Sequence, residues 1–509
     1  MDSAASQSRF IGVDALFQYA GSGIQLFSGI VFYIIAVRLF STSSVGAIAL
    51  FVAIIGLFNL IFSFGLATAA QHFTSYNLGK GDFASVKRTI YHLIMIGSLL
   101  SVAGLISLQI LSREISVVFF HSPQFTELVR VLSVVLFGNI MFGILNGAIL
   151  GIQQFRISAI ISMFIWTTYY FGALVFAIFL RSLETIVFGW LIGIFLGVAI
   201  ELIVILSTIR KYLGEGRPPP NGYILRYSAP ILMSGLISYG AAYSDRFIVS
   251  GLLSLSALGI YNFSLLISSS ITFLAIPFNN ILMPKFSELF ARNERNKISS
   301  TVEVTSTLLS YFYVPCALGI AALAPNILHF LGGDEYSIVT LPLRIIMFIT
   351  AVFVSQNILT QVVASIRKTR MFLYSSGLAM LSNIILSFTL IPRLGLVGAA
   401  IGYSSVYAIT FGILYFSAFK ESVLSFNLIG ILKIWASALL MFISVYFVSM
   451  SIGPSNYFLP IYVIIGATIY LVLTRLMRIF KGDNKDLILS LFPSKFTRLR
   501  KIISLVILP

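Results

Sequence analysis

Charged residues are scarce in this sequence. Only 10% of the 509 residues are Asp, Glu, Lys or Arg, whereas 58% are hydrophobic and the mean hydropathy is +0.99. A soluble globular domain carries about 25% charged residues. The composition therefore excludes a soluble globule and predicts an all-α polytopic membrane protein.

Residues that form disulfides or bind metals are also scarce. Cys316 is the single cysteine, so no internal disulfide can form. The four histidines are scattered without the spacing of zinc ligands: His72, His92, His121 and His329. We therefore expect no disulfide, no metal site and no cofactor.

Catalytic motifs are missing as well. The sequence has no G-x-x-x-x-G-K-[ST] loop that would hold the phosphates of ATP. Asp334 and Glu335 form the only acidic pair expected outside the membrane on the far side, and no loop is long enough for a catalytic domain. We therefore expect no catalytic residues and no enzyme activity.

Long apolar segments are what the sequence has in abundance. An even number of spans places both termini on one side of the membrane, and most of the 33 Lys and Arg residues lie in loops on that side. The positive-inside rule then predicts a multi-pass protein of the cytoplasmic membrane with both termini in the cytoplasm. The net charge of +16 reflects this topology and contact with anionic membrane lipids, not nucleic-acid binding. The predicted spans are about fourteen: 12–37, 45–68, 89–111, 126–150, 157–180, 184–207, 226–251, 257–283, 301–322, 339–364, 371–391, 396–418, 428–450 and 456–479.

The chain matches itself at an offset of about 213 residues. The offset places LFSTSSVG, which ends at Gly46, on LLSLSALG, which ends at Gly259. Six spans in each half predict two parallel six-helix bundles around a central cavity. The predicted domains are an N-terminal bundle (1–209), a cytoplasmic linker (210–225), a C-terminal bundle (226–420), two additional spans (421–479) and a basic interfacial tail on the cytoplasmic side (480–509).

Asp245 and Arg246 are the most informative residues, because they lie side by side inside the seventh span. Each charge near the middle of a membrane costs about 2.5–3.5 kcal/mol on insertion scales. We therefore expect both side chains to face protein or an aqueous cavity. The alternative is that they reach the outer surface, about 7.5 Å away along the helix. The eighth span is predicted as one helix from about Gly259 to Met283, ending before Pro284.

The stretch SYGAAYSDRFIVSGLLSLSALGIYNFSLLI, followed by MPKFSEL, resembles the start of the second half of polysaccharide flippases. These O-antigen-type transporters belong to the multidrug/oligosaccharidyl-lipid/polysaccharide exporter superfamily. The resemblance implies that the first, second, seventh and eighth helices line the cavity, where cations meet the substrate's diphosphate. Arg246 is the candidate for that role. The resemblance also implies that relatives which move the lipid-linked peptidoglycan precursor use a cluster of cationic residues. The spans of this chain contain few cations besides Arg246, which disfavours that precursor as substrate.

Polar residues at helical spacing mark the candidate walls of the cavity. The alternative is that the amides only hydrogen-bond between helices. Asp14 can equally be an ordinary helix-start residue. The candidate substrate-cavity residues are Asp14, Gln18, Gln25, Asp245, Arg246, Asn262, Asn280, Asn357 and Gln361.

Three functions are compatible with these observations. The first is a flippase for polyprenyl-(di)phosphate-linked oligosaccharide that works by alternating access, with H⁺ or Na⁺ coupling at Asp14 or Asp245 and with other polysaccharide-assembly membrane proteins as candidate partners. The second is a cation-coupled multidrug extrusion transporter. The third is a membrane glycosyltransferase or polymerase, which an acidic metal site on the outer face would favour.

Overall fold

The protein is an all-α multi-pass membrane protein. The computed structural model describes residues 2–421, 423–452 and 458–479, with side chains described except at 2–16, 277, 280 and 452. Thirteen helices in this part of the chain are long and apolar enough to cross a membrane. The predicted basic tail (480–509) lies outside the described residues.

Nineteen α-helices follow one another in the residues that the structure describes. They are α1 (Asp2–Leu39), α2 (Thr42–Ser63), α3 (Leu66–Gly79), α4 (Phe83–Ile110), α5 (Ser112–Phe120), α6 (Thr126–Gly151), α7 (Phe155–Leu180), α8 (Leu183–Ile209), α9 (Asn221–Leu252), α10 (Leu255–Ser270), α11 (Ile276–Ala291), α12 (Arg295–Ala322), α13 (Ala324–Gly332), α14 (Thr340–Val352), α15 (Gln356–Ser365), α16 (Arg370–Leu394), α17 (Leu396–Phe419), α18 (Leu428–Ile452) and α19 (Leu459–Leu476).

The seventh predicted span corresponds to α9, which is not among the thirteen apolar candidates. Its 32 residues are enough to cross a bilayer at about 1.5 Å per residue. Pro230, Asp245 and Arg246 interrupt its apolar sequence. The fourteenth crossing therefore stays a prediction that depends on α9.

The eighth predicted span is not one continuous helix. It consists of α10, a 3-10 turn (Ile271–Ala275) and α11. Three consecutive serines at the end of α10 donate to the carbonyls three residues earlier, as in Ser270 Oγ to the oxygen of Ile267 at 2.7 Å. Such bonds compete with regular helical hydrogen bonds, and Pro277 has no N–H to donate. The expected helix end before Pro284 is wrong, because α11 continues through Pro284 to Ala291.

Contacts divide the chain into two compact units. The first contains the described residues up to 239 together with Leu253–Gly259, and the second contains Gly240–Leu252 together with the described residues from 260 onward. The predicted domain boundaries follow the order of the spans, and they stay predictions.

Helix bounds recur along the chain at the offset found in the sequence. α2 and α10 begin at Thr42 and Leu255, and α4 and α12 each contain 28 residues. The residues after α6 and α15 also share an unusual backbone, since Gln153 and Arg367 have φ of 62° and 60°. The two halves of the sequence therefore share most of their succession of elements, although the single helix α6 corresponds to two helices, α14 and α15, so the predicted span 339–364 is not one continuous helix.

The repeated glycines lie where two helix starts pack closely within the first unit. A Cβ added to Gly46 would lie 1.8 Å from the oxygen of Leu255, and one added to Gly259 would lie 2.0 Å from the oxygen of Thr42. Thr42 Oγ1 and Ser256 Oγ are hydrogen-bonded at 2.7 Å. Only glycine permits backbones to approach this closely.

Candidate functional site

Asp245 is completely buried inside the second unit. The hydroxyl of Tyr261 donates to its Oδ2 at 2.8 Å and also lies 3.2 Å from the carbonyl oxygen of Ala399. Its Oδ1 accepts no hydrogen bond from the described residues and lies 3.7 Å from Nη1 of Arg246. The prediction that Asp245 faces protein or a cavity rather than lipid therefore agrees with its burial.

Arg246 is held by neutral groups more closely than by its carboxylate neighbour. Its Nη1 donates to the carbonyl oxygen of Ala242 at 2.6 Å, and its Nε donates to Oδ1 of Asn262 at 3.2 Å. The guanidinium lies 4.3 Å from the ring centre of Tyr243, which is a cation–π distance. Within the described part of the chain no hydrogen bond uses Nη2, and the side chain keeps 13% of its exposure.

A second group of polar residues surrounds the pair. Asn383 Nδ2 donates to the carbonyl oxygen of Ala241 at 3.1 Å, and Ser387 Oγ donates to Oδ1 of Asn383 at 3.1 Å. The hydroxyls of Tyr403 and Tyr407 lie 3.2 Å apart, one turn from each other on α17. Arg246 and Asp245 act electrostatically on Tyr403. We call Asp245, Arg246, Tyr261, Asn262, Asn383 and Tyr403 the polar cluster.

The polar cluster is expensive to bury. Two ions removed from water lose several kcal/mol of hydration each, and a pair 3.7 Å apart does not form the short bidentate contact that recovers most of it. The hydroxyl, amide and carbonyl groups of α9 and α10 supply additional hydrogen bonds to the pair. The arrangement leaves Nη2 of Arg246 able to donate further hydrogen bonds, next to Oδ1 of Asp245, which accepts none from the described residues.

The structure brings together only some of the candidate cavity residues. Asp245, Arg246 and Asn262 meet in the polar cluster. Gln18 Nε2 instead donates to the carbonyl of Phe155 at 2.7 Å, and Asn357 Nδ2 donates to the carbonyl of Val354, in the connection before its helix, at 3.0 Å. Gln25 and Gln361 are half-buried. The side chains of Asp14 and Asn280 lie outside the described residues. The assignment of these residues to a substrate cavity stays a prediction.

Tyr261, Asn383 and Tyr403 belong to the polar cluster, yet they are absent from the candidate residues predicted from the sequence. Tyr261 lies in the Gly-Ile-Tyr segment of the stretch that resembles polysaccharide flippases, so the sequence contains a signal for it. Asn383 and Tyr403 lie more than a hundred residues beyond Asp245, and their residue types are common in apolar spans. Only the fold places them beside the charged pair.

A second buried carboxylate lies in the first unit. Glu201 on α8 is fully buried, and Nδ2 of Asn146 on α6 donates to its Oε1 at 2.7 Å. The same Nδ2 lies 3.1 Å from Oγ of Ser158, while Oε2 has no hydrogen bond from the described residues. No lysine or arginine with a described side chain lies within ion-pair distance of Glu201.

An apolar pocket of about 440 Å³ lies between α12, α18 and α19 of the second unit. Its lining is almost entirely hydrocarbon and includes Phe312, Gly319, Val445, Gly466 and Leu471. Gly319 and Gly466 widen it because they carry no side chain. The pocket suits a hydrocarbon chain and offers little to a sugar.

A family profile described as polysaccharide biosynthesis protein matches residues 35–341 of the chain. The probable low-salt glycan biosynthesis flippase Agl15 of Haloferax volcanii is 23% identical over 398 residues, which cover 76% of this chain and 78% of that protein.

Solved structures of two transporters share the fold. The lipid II flippase MurJ in an inward closed conformation has a TM-score of 0.65 at 18% identity, covering 87% of this chain and 99% of that chain. An inward-facing multidrug resistance MATE family transporter of the MOP superfamily has a TM-score of 0.67 at 14% identity, covering 78% and 96%.

Proposed function

The chain belongs to the polysaccharide biosynthesis protein family, and we propose that it is a flippase for polyprenyl-(di)phosphate-linked oligosaccharide. It moves this substrate across the cytoplasmic membrane by alternating access and serves the export of a surface polysaccharide or glycan. The similarity to a glycan biosynthesis flippase over three quarters of the chain supports this proposal.

The polar cluster is the observation that carries the proposal. A membrane protein keeps a buried Asp–Arg pair at a cost of several kcal/mol, so a role in transport explains its presence better than packing does. The planar guanidinium of Arg246 matches the oxygens of a phosphate, and its Nη2 is free of hydrogen bonds in the described structure. Arg246 and Asn262 contact the diphosphate and the first sugar in this proposal. Gln18, Gln25, Asn357 and Gln361 are further candidates for sugar contacts.

The apolar pocket between α12, α18 and α19 supports a lipid-linked substrate rather than a free sugar. Its volume of about 440 Å³ accommodates a few isoprene units. The remainder of a long polyprenyl chain stays in the bilayer while the sugar and phosphate cross.

Asp245 is the candidate for ion coupling in the second unit, and Asp14 is the candidate in α1. Oδ1 of Asp245 has no hydrogen-bond donor among the described residues, so it is the oxygen that can take up a proton or contact Na⁺. Its binding of a cation would weaken the attraction to Arg246 and change the hydrogen bonds of Arg246.

The orientation with both termini in the cytoplasm is supported by the loops of the second unit. The end of α11, the α15–α16 turn and the residues after α17 were all predicted to be cytoplasmic, and they lie together: Arg295 and Lys368 both contact Glu421. Three loops on one side agree with the predicted alternation of the spans, and in this proposal the positive-inside rule assigns that side to the cytoplasm.

A cation-coupled multidrug extruder is the second candidate, because a MATE family transporter shares the fold with a TM-score of 0.67. A glycosyltransferase or polymerase is disfavoured by the same fold, and we propose a transporter without catalytic activity.

The proposal is tested with purified protein in vesicles that contain a labelled lipid-linked oligosaccharide. Access of an external sugar-specific enzyme to the label reports flipping. We expect protein-dependent flipping that Arg246→Gln slows strongly, whereas Arg130→Gln does not, because Arg130 is half exposed and pairs with Glu127 at the surface. Vesicles that accumulate a cationic drug but flip no glycolipid would instead establish the extruder.

A further inference from the structure

A second polar site lies in the second unit, away from the polar cluster. A pocket of about 520 Å³ is formed by the end of α11, the start of α12, the turn between α15 and α16, and the residue Glu421 after α17. Arg295, Arg367, Ser287 and Ser365 line it together with Glu421. Met283, Phe290 and Ile366 supply an apolar wall. We call it the loop pocket.

Positive charge exceeds negative charge at the loop pocket. Lys368 Nζ lies 2.6 Å from Oε1 of Glu421, and Arg295 reaches the same residue with Nη2 3.8 Å from Oε2 and Nη1 3.0 Å from the carbonyl oxygen. The hydrogen bond from Lys368 is the main reason why the pKa of Glu421 lies below its usual value. One carboxylate thus faces Lys368, Arg295 and Arg367.

Arg367 stands out because no described residue forms a hydrogen bond or ion pair with its guanidinium. Its backbone occupies the left-handed region with φ of 60°. Arg367 N donates to Ala364 O at 3.1 Å and Lys368 N to Val363 O at 3.3 Å, so Arg367 is the residue after a helix end where glycine is preferred. An exposed arginine at a position that suits glycine points to a role for the side chain.

The first unit contains the same turn without the charge. Gln153 occupies the position of Arg367 with φ of 62°, and Gln154 occupies that of Lys368. Gln154 Nε2 lies 3.4 Å from Oγ1 of Thr208, which corresponds to Glu421. Phe83 corresponds to Arg295 and packs on Tyr212 at 5.1 Å. The backbone of the turn therefore needs neither Arg367 nor the Lys368–Glu421 pair.

We propose that the loop pocket binds the phosphate of a lipid headgroup at the membrane surface. Arg367 and Arg295 contact the phosphate oxygens with charge-assisted hydrogen bonds, and the wall of Met283, Phe290 and Ile366 contacts the first carbons of the lipid chain. Two lipids offer this chemistry: an anionic phospholipid of the membrane, and the polyprenyl diphosphate of the substrate. The second source rests on the proposed function, whereas the first does not.

Binding is measured with the full chain in detergent, using water-soluble dioctanoyl phosphatidylglycerol and farnesyl diphosphate as separate probes. We expect at least one probe to bind, and Arg367→Gln, the residue of the first unit, to weaken that binding about tenfold, as expected for one lost charge-assisted hydrogen bond. Arg292→Gln is the matched control, because Arg292 pairs with Glu288 on α11 and does not line the pocket. The affinity of the Arg292→Gln variant for the probe should equal that of the unmodified protein.

The variant Glu421→Gln distinguishes a pocket that binds phosphate from a cluster of ion pairs that only stabilises the fold. Removal of the negative charge of Glu421 frees Lys368 and Arg295, so the affinity for whichever probe binds should rise several-fold. A purely structural cluster would instead give a lower Tm with unchanged affinity, and that result overturns the proposal.

The two probes distinguish the sources. Binding of phosphatidylglycerol alone identifies a site for membrane lipid, and binding of farnesyl diphosphate identifies a docking site for the substrate headgroup. Absence of binding by both probes, or equal affinities in Arg367→Gln and Arg292→Gln, overturns the inference. These outcomes do not depend on flipping, so they leave the proposed function to its own vesicle assay.

Discussion

Equivalent positions in the two halves of the chain carry opposite chemistry. The first unit has a buried aromatic cluster where the second unit has the polar cluster. Tyr169 and Trp190 stack with centroids 5.3 Å apart and planes at 3°, and Phe32 lies 6.1 Å from Trp190. Positions are matched by counting from the ends of α1 and α9 and of α7 and α16, and from the starts of α2 and α10 and of α8 and α17. The corresponding pairs are then Phe32 and Asp245, Tyr33 and Arg246, Ile48 and Tyr261, Ala49 and Asn262, Tyr169 and Asn383, and Trp190 and Tyr403.

The comparison separates what builds the fold from what we propose performs transport. Helix bounds, the close-packed Gly46 and Gly259, and the left-handed residues Gln153 and Arg367 recur in both halves. An aromatic cluster stabilises a helix bundle without any cost of desolvating charge, so the position does not require ions to fold. The first unit forms the corresponding helices without charges at these positions. We infer that the charges of the second unit serve function and are not needed for folding.

The largest expected effect is on the shared scaffold. Gly46→Ala and Gly259→Ala should each destabilise the protein by more than about 5 kcal/mol or prevent folding, because the new Cβ would meet a backbone oxygen closer than 3 Å. Gly23→Ala is the control, since nothing lies within 4 Å of its added Cβ. Tm in detergent measures the difference. A similar small effect at all three positions would show that the close approach is not required.

The next effect concerns the aromatic cluster. Trp190 is fully buried, and Trp190→Ala should lower the free energy of unfolding by about 3–5 kcal/mol through lost packing. The flipping rate per folded molecule should remain near that of the unmodified protein. A rate that falls without a change in Tm would contradict the division between the two clusters.

Breaking the charge pair should cost about as much stability in the polar cluster, but for a different reason. Arg246→Gln leaves Asp245 buried without its cation, at a cost of about 3–5 kcal/mol. The double variant Asp245→Asn/Arg246→Gln removes both charges and should recover much of that Tm while flipping stays slow. Additive losses in the double variant would mean that the two side chains do not act as a pair.

Tyr261→Phe should have a smaller effect. It removes the hydroxyl that donates to Asp245 at 2.8 Å and leaves that carboxylate with fewer donors, at a cost of about 1–3 kcal/mol. The counterpart in the first unit, Ile48, has no hydroxyl, and Ile48→Val is the control with an expected cost of about 0.5–1.5 kcal/mol. Equal changes in Tm would show that the hydrogen bond contributes nothing.

The smallest expected effect is that of pH on the Lys368–Glu421 pair. Because the pKa of Glu421 is lowered in the folded protein, its contribution is present above the ordinary glutamate value of about 4.3 and is lost only as pH falls through the lower folded value. Amide exchange after α17, corrected for the intrinsic effect of pH, should thus be unchanged from pH 7 to pH 5. Faster corrected exchange already at pH 5 would contradict the lowered pKa.

The sequence was sufficient to predict the fold class and most helix bounds, and it singled out Asp245 and Arg246, whose role in a substrate cavity stays a prediction. Hydropathy and charge identify the spans because segments in lipid need apolar side chains and segments in water can carry charged ones. Asp245 and Arg246 attract attention because a charged side chain is costly to place in lipid. The serine-rich break after α10 and the continuation through Pro284 depend on local hydrogen bonding that an average over a window does not detect. Asn383 and Tyr403 join the site only through folding, since their types are ordinary in an apolar span.

Flipping rates of two variants at equivalent positions test the central claim most directly. Asp245→Asn removes a charge at constant size and Phe32→Leu removes an aromatic ring, and the two residues occupy the same place in their own halves. The rate of oligosaccharide exposure per folded protein should fall at least tenfold, about 1.4 kcal/mol in barrier, for Asp245→Asn and remain within twofold for Phe32→Leu. Equal rates in the two variants would contradict the assignment of transport to the polar cluster.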